Sequence, residues 1–336
     1  MKAILFITLA LIFGLVTSCE TKYDSVRPDN VLYLRSKGAD MPVYVRGNLS
    51  SQVIILHLHG GPGGGAIVTE DWYKELSGQY AVALWEQRAA GSSSGNVDKS
   101  TLTYEQFAED CGNVIRLLKM KYPQAKIFLM GRSFGVELGW QFLTTQNGQD
   151  QVAGWIAVNG THSGFSYHYH QREWLLKAAK AQNNQPIYDW CQANPVTPTT
   201  LSAYDDAQAY RYMVKLGGDQ SGGITPGFIV QKTFFSPVTM PGSVLNVLQF
   251  FRNKDVTRQF KAFDRSAYLP QIKLPVALFW GKMDGNVPIE IGRETDSLLT
   301  NCPKRFITFD KSWHSPQETE NGRFTSEVID FIKTYK

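Results

Sequence analysis

Ser133 stands at the centre of Gly131-Arg132-Ser133-Phe134-Gly135, directly after the apolar run AKIFLM and directly before the helical pattern GVELGWQFLTTQ. Glycine two residues to either side lets a chain turn sharply from strand to helix and holds the hydroxyl at a strained, exposed apex over the helix N-terminus. A serine so placed is a nucleophile once a base takes its proton and a carboxylate orients that base. Beyond residue 170 the chain has a single histidine, His314 in FDKSWHSPQ, which follows the strand pattern RFITF. Asp284 follows the apolar run PVALFWG and is the expected orienting carboxylate. Asp310, adjacent to the strand that leads to His314, reads as a loop residue instead.

A second stretch bears on the same chemistry. The strand pattern SQVIIL runs into HLHGGPGGG at 57–65, which can neither continue a strand nor build a helix interior. Glycine without a Cβ lets a backbone approach another group closely. Two backbone N–H groups aimed at a carbonyl under attack stabilise its oxyanion, each worth roughly 3–4 kcal/mol. The N–H of Gly61 and that of Phe134 are the expected donors, with His59, Gly60, Pro62 and Gly63 shaping the loop. A phosphate-binding loop would require a Lys-Ser/Thr pair opening a helix, and none follows.

These residues must be carried by strand ends. The readable elements alternate: VLYLRSK and MPVYVRG as an opening strand pair, then VIILHLH, YAVALWE, AKIFLM, VAGWIAVNG, PVALFWG and RFITF, with helical patterns between them. In TYEQFAEDCGNVIRLLKMKY, Phe107, Val114, Leu117 and Leu118 share one face, and Thr103 with Gln106 has the spacing of a capping box. Near-continuous apolar strands separated by helices predict a mostly parallel sheet covered on both faces. Between residues 161 and 270 the alternation breaks into aromatic, Pro/Gly-punctuated sequence, the pattern of a mainly helical cap inserted over the carboxyl ends of the strands. The expected division is therefore 31–160 and 271–336 as core and 161–270 as cap.

The chain has 336 residues, is 43% hydrophobic and carries a net charge of +4 without a Lys/Arg-rich run, which gives no footing for a nucleic-acid partner. No solenoid-period repeat or low-complexity tract is present. Residues 1–18 have a positive start at Lys2 and an apolar run from Ala3 to Val16, short for a membrane span and suited to a signal peptide. VTSC before and at Cys19 resembles a bacterial lipobox. That resemblance implies cleavage before Cys19, acylation of its thiol, 19–30 as a polar tether, and anchorage to a membrane of the cell envelope. Setting Cys19 aside leaves Cys111, Cys191 and Cys302, an odd number that allows one disulfide or none.

Five segments in order, HGGPGG at 59–64, WEQRAAGSS at 85–93, GRSFGV at 131–136, GKMDGNVP at 281–288 and SWHSP at 312–316, resemble the α/β-hydrolase superfamily, in particular its proline iminopeptidase-like branch. The match runs over roughly residues 30–335. It implies the α/β-hydrolase fold, Ser133 as nucleophile, His314 as base and acid, Asp284 as orienter, Gly61 and Phe134 as oxyanion donors, and no cofactor. The chain departs from the branch pattern at Glu86 for Asp, Ala89 for Gly, Phe134 for Trp, and Trp313 for the Gly before His.

The resemblance implies release of an N-terminal residue, often proline, from a small peptide. An esterase or amidase for apolar acyl groups, and a catalytically silent binding lipoprotein, are the alternatives. An aminopeptidase must hold a free ammonium, and Glu173 in HQREWLLKAAK is the expected contact, although Lys and Arg outnumber acids across 161–270. Glu137, inside the helix after the serine, reads as structural, and Arg88 as a loop brace. The pairs His57/His59 and His168/His170 would each share a face if extended, but no further Cys or His has the spacing to complete a metal site. No obligate protein partner is implied.

Overall fold

The computed structural model describes residues 30–145, 147–220 and 254–336. The signal peptide, Cys19 and most of the tether lie outside the described residues, as do the cap aromatics of 228–235 and 247–251.

Among the described residues nine strands form one sheet: β1 (Val31–Ser36), β2 (Ala39–Gly47), β3 (Val53–Leu58), β4 (Ala81–Trp85), β5 (Ser94–Gly95), β6 (Lys126–Arg132), β7 (Gly154–Val158), β8 (Val276–Gly281) and β9 (Lys304–Phe309). Their order is β1-β2-β4-β3-β6-β7-β8-β9, with β5 beside β2. The β1–β2 and β2–β4 pairs are antiparallel, and every pair from β4–β3 onward is parallel. In β3 all six residues of VIILHL are buried, as a strand covered on both faces requires. Ile54, Leu56 and Leu58 join one hydrophobic cluster with the helix Tyr104–Lys121, while Val53 and Ile55 join a second with the terminal helix Asn321–Tyr335. Burying each such side chain contributes about 1.5–3 kcal/mol relative to exposure.

The long helix begins where the sequence placed it: the Thr103 hydroxyl accepts from the Gln106 N–H at 3.2 Å. The capping box is only half formed. The Gln106 side chain instead accepts from Lys37 at 2.6 Å and donates to Asp110 at 3.0 Å, since the buried Asp110 offers a stronger, charged acceptor.

Between β7 and β8 the chain leaves the sheet for the helices Gly164–Ala181, Gln185–Ala193, Asp206–Lys215 and Lys254–Ala262. Leu175, Ile187, Ala209 and Met213 give this insertion a hydrophobic cluster of its own. YHYH is helical rather than extended, so His168 and His170 diverge by about 200° around the axis. Cys111, Cys191 and Cys302 are all free thiols. Among the described residues no helix is long and apolar enough to cross a membrane.

Candidate active site

Ser133 closes β6 and precedes the helix Phe134–Leu143 with φ 52° and ψ −125°, a backbone conformation that costs an L residue energy. The turn is locked from both sides. The Ser133 N–H donates to Val158 O at 3.0 Å, and its carbonyl accepts from Val136 at 2.8 Å. Gly135 has no substitute, because a Cβ there would stand 2.0 Å from the Leu58 carbonyl oxygen, where the helix crosses the end of β3.

Asp284 and His314 follow the ends of β8 and β9 and meet across 30 residues. His314 Nδ1 donates to Asp284 Oδ2 at 2.8 Å, with both residues at most 5% exposed. The other oxygen, Oδ1, accepts from the N–H groups of Asn286 and Val287 at 2.8 and 2.9 Å. One carboxylate thus pins its own turn and orients the imidazole. Asp310 takes no part; it is exposed and ion-paired to Lys282 at 2.6 Å. The Ser133 hydroxyl has no hydrogen-bond partner among the described residues, so the link to His314 is open. Such contacts commonly tighten only when substrate binds.

Asn159, just past β7, is a residue the sequence did not single out. Fully buried with φ 43°, it donates to Asp284 Oδ2 and to Trp313 O and accepts from the Gly281 N–H at 3.2 Å. It therefore ties β7, β8 and the His314 loop together. Its signal in the sequence was the Asn-Gly pair ending VAGWIAVNG, because Asn tolerates left-handed backbone better than most residues.

The glycine loop lies against the serine: a Cβ on Gly60 would sit 3.2 Å from that of Ser133. Gly61 has φ 143°, open to glycine at little cost. His59 explains why this loop occurs with a Gln-Arg segment. Its Nδ1 donates to Gly60 O at 2.8 Å, and its Nε2 accepts the Gln87 N–H at 3.2 Å, while the Gln87 side chain donates back to His59 O at 3.0 Å. Glu86 accepts from Ala66 and Ile67 just beyond the loop. Arg88 is a brace, as expected, making a buried two-pronged pair with Asp110 at 2.6 and 2.9 Å. Ala89 keeps φ 54° in place of the glycine of the resembling pattern. Trp313 also departs from that pattern, and its indole N–H donates to Gly217 O at 3.0 Å, which joins the His314 loop to the insertion just past the helix Asp206–Lys215.

Burial lowers the His59 pKa to about 4. Protonation would turn Nε2 into a donor facing the Gln87 N–H. The unfolded His titrates near 6.5, so the unfolded chain takes up the proton first as pH falls. Stability is full above about pH 6.5 and declines towards pH 4, by roughly 3 kcal/mol for this group. Urea unfolding at pH 7, 6 and 5 checks this: a midpoint that does not fall on acidification contradicts a neutral buried His59.

A cavity of about 810 Å³ opens above Ser133. Gly61, Ser133, Phe134 and Glu137 lie on its core side, and Tyr204, Tyr210 and Phe260 line it from the insertion. Glu173 is not among the lining residues. It pairs with Arg172 at 2.6 Å, and it stands about 140° around its helix from His168, which does line the cavity. Glu137, read from sequence as structural, does line it. His57 is spent on Tyr73, at 3.5 Å, His168 on Gly164 O and Asp206, and His170 on Glu294. Among the described residues no three His, Cys, Asp or Glu side chains are placed to hold a metal ion.

No family model matches the chain. It is 28% identical to a probable aminopeptidase of Bacillus subtilis over 82% of its own length and 87% of the relative's. Among solved structures, an esterase from Exiguobacterium antarcticum superposes with a TM-score of 0.60 at 18% identity, covering 90% of this chain and 98% of that one. A proline iminopeptidase-related protein from Thermus thermophilus does so with a TM-score of 0.57 at 16% identity, covering 91% and 97%. With the mostly parallel sheet, the insertion after β7 and this likeness along nine-tenths of the chain, the protein has the α/β-hydrolase fold.

Proposed function

We propose that the protein is a serine hydrolase that releases the N-terminal residue of small peptides through an acyl-enzyme. The observation that carries this reading is the buried His314–Asp284 hydrogen bond at 2.8 Å, set past neighbouring parallel strand ends of the sheet in which β6 leads into the strained Ser133 elbow. In the reaction, Ser133 Oγ attacks the scissile carbonyl carbon and His314 Nε2 takes the hydroxyl proton. Asp284 holds Nδ1–H and stabilises the imidazolium that forms. The carbonyl oxygen becomes an oxyanion, met by the N–H groups of Gly61 and Phe134. Its collapse breaks the C–N bond, and His314 returns the proton to the leaving amine. Water, deprotonated by His314, then hydrolyses the ester on Ser133.

The aromatic cavity wall of Phe134, Tyr204, Tyr210 and Phe260 favours a second reading, an esterase for apolar acyl groups. Parallel assays of aminoacyl arylamides and short-chain nitrophenyl esters separate the two. Labelling of Ser133 by a fluorophosphonate, lost in Ser133→Ala, tests the reading they share; undiminished labelling of that variant refutes it, and a wild type that takes no label leaves the silent binding protein.

The lipobox-like VTSC supports a further part of the proposal, that the mature chain begins at an acylated Cys19 and is held at a membrane of the bacterial envelope. Each buried CH₂ adds about 0.8 kcal/mol, so a multiply acylated residue is a firm anchor. Cys19→Ala is expected to release the protein from the membrane fraction or stop its maturation. A wild-type protein recovered in the soluble fraction contradicts the anchor.

A further inference from the structure

The carboxyl groups lining the cavity differ in what holds them. Asp205 spends its side chain on the Gln208 N–H at 2.9 Å. Asp206 lies between His168 at 3.0 Å and Lys261 at 3.3 Å. Glu137 has no ionic partner among the described residues. It stands one helical turn beyond Ser133, is 3% exposed, and faces the cavity. The Tyr104 hydroxyl donates to its Oε2, and Oε1 has no hydrogen-bond partner among the described residues. Tyr104 is itself fixed, stacked on Phe263 at 4.4 Å between ring centroids and packed against Phe134 at 5.7 Å. A buried carboxyl with one oxygen anchored by a rigid phenol and the other open to a cavity is a built half-site for a hydrogen-bonding cation.

We propose that Glu137 receives the substrate's ammonium group, the protonated α-amine of the residue whose carbonyl Ser133 attacks. This rests on the serine-hydrolase reading above and narrows its substrates to short peptides and amino-acid amides with a free N-terminus. The dimensions agree. An α-nitrogen lies about 2.5 Å from its own carbonyl carbon. Side chains at i and i+4 start about 5–6 Å apart. A carbonyl carbon at attack distance from Ser133 Oγ, about 3–3.5 Å, and an ammonium at about 2.8 Å from Oε1 put Oε1 at most about 8–9 Å from Oγ, within reach of a glutamate whose side chain starts one helical turn on. Burial raises the Glu137 pKa well above the usual carboxylate range. A cation at Oε1 favours its ionised form, with the proton passing to solvent. A neutral N-acyl group gives no such return.

The test compares the full chain, in mild detergent, on alanine para-nitroanilide and on its N-acetyl derivative. In Glu137→Gln the ratio of kcat/KM for the free over the acetylated substrate is expected to fall about 100-fold. Glu137→Asp, which keeps the charge on a shorter arm, is expected to retain more of the ratio than the Gln variant. An unchanged ratio in Glu137→Gln overturns the proposal. A second measurement needs no variant: n-butylammonium should inhibit turnover of a nitrophenyl ester by the wild type, and n-butanol should not. Equal inhibition by the two overturns the proposal. Failure of the peptide reading has its own signature, ester turnover with no anilide turnover by the wild type. The butylammonium–butanol comparison then still decides on Glu137.

Discussion

Ser133→Ala is expected to lower turnover by about five to six powers of ten, and His314→Ala by a similar factor. Neither change should unfold the protein. Ser133 makes its structural hydrogen bonds through the backbone, and alanine removes only a hydroxyl that has no partner among the described residues. Alanine does inherit the strained φ of 52°, a cost the serine already bears. The informative variant is the double one. In the proposed mechanism His314 acts only on the Ser133 proton and on the groups that replace it. Once either residue is gone the other has nothing to do, so the double variant should turn over about as slowly as the worse single one. Single-turnover and steady-state rates on one nitrophenyl ester measure this. Losses that multiply would show two independent contributions and contradict the triad.

Asp284→Asn is expected to cost about four powers of ten in kcat, with a loss of stability of roughly 1–3 kcal/mol for each buried donor left unpaired. The site explains why an isosteric amide fails. Every partner of the Asp284 carboxylate is a donor: the N–H groups of Asn286 and Val287 at Oδ1, and His314 Nδ1 and the Asn159 amide at Oδ2. An asparagine brings one NH₂ of its own. Turned toward the backbone, it faces two N–H groups. Turned toward His314, it faces the Asn159 amide and draws the imidazole into the tautomer with its proton on Nε2, which can no longer accept from Ser133. Denaturant melts and kcat measured together distinguish this from a purely structural role. A variant with lowered stability but near-normal kcat would remove Asp284 from the mechanism and leave it as a turn anchor.

Much of this site is legible in the amino-acid sequence. The elbow was legible because its requirement is local: a strained residue with a glycine at the close approach two positions on, between a strand and a helix. Thr103 could be placed at its helix start because a cap acts across three residues, and β3 because six consecutive buried side chains leave an unbroken apolar run. The order of Ser133, Asp284 and His314 along the chain also followed from which strand each residue terminates.

What the sequence left open was every pairing that depends on which strands become neighbours. Asn159 and Asp284 meet across 125 residues only because β7 pairs with β8, and nothing within either segment announces the other. The choice between Glu173 and Glu137 was of this kind. Both are glutamates in helices, and its place in the insertion singled out Glu173, although Lys and Arg outnumber acids there. Helix phase turned Glu173 to Arg172, and the crossing of the elbow helix over the sheet turned Glu137 to the cavity beside Ser133. YHYH fell the other way because alternation over four residues fits an extended chain as well as a helix, and only the hydrogen bonds of Gly164–Ala181 separate the two rings. Steric and capping requirements act between residues close in sequence and so are written there. Partners for buried carboxylates are chosen by strand order, register and helix phase, which the whole chain fixes only when it packs.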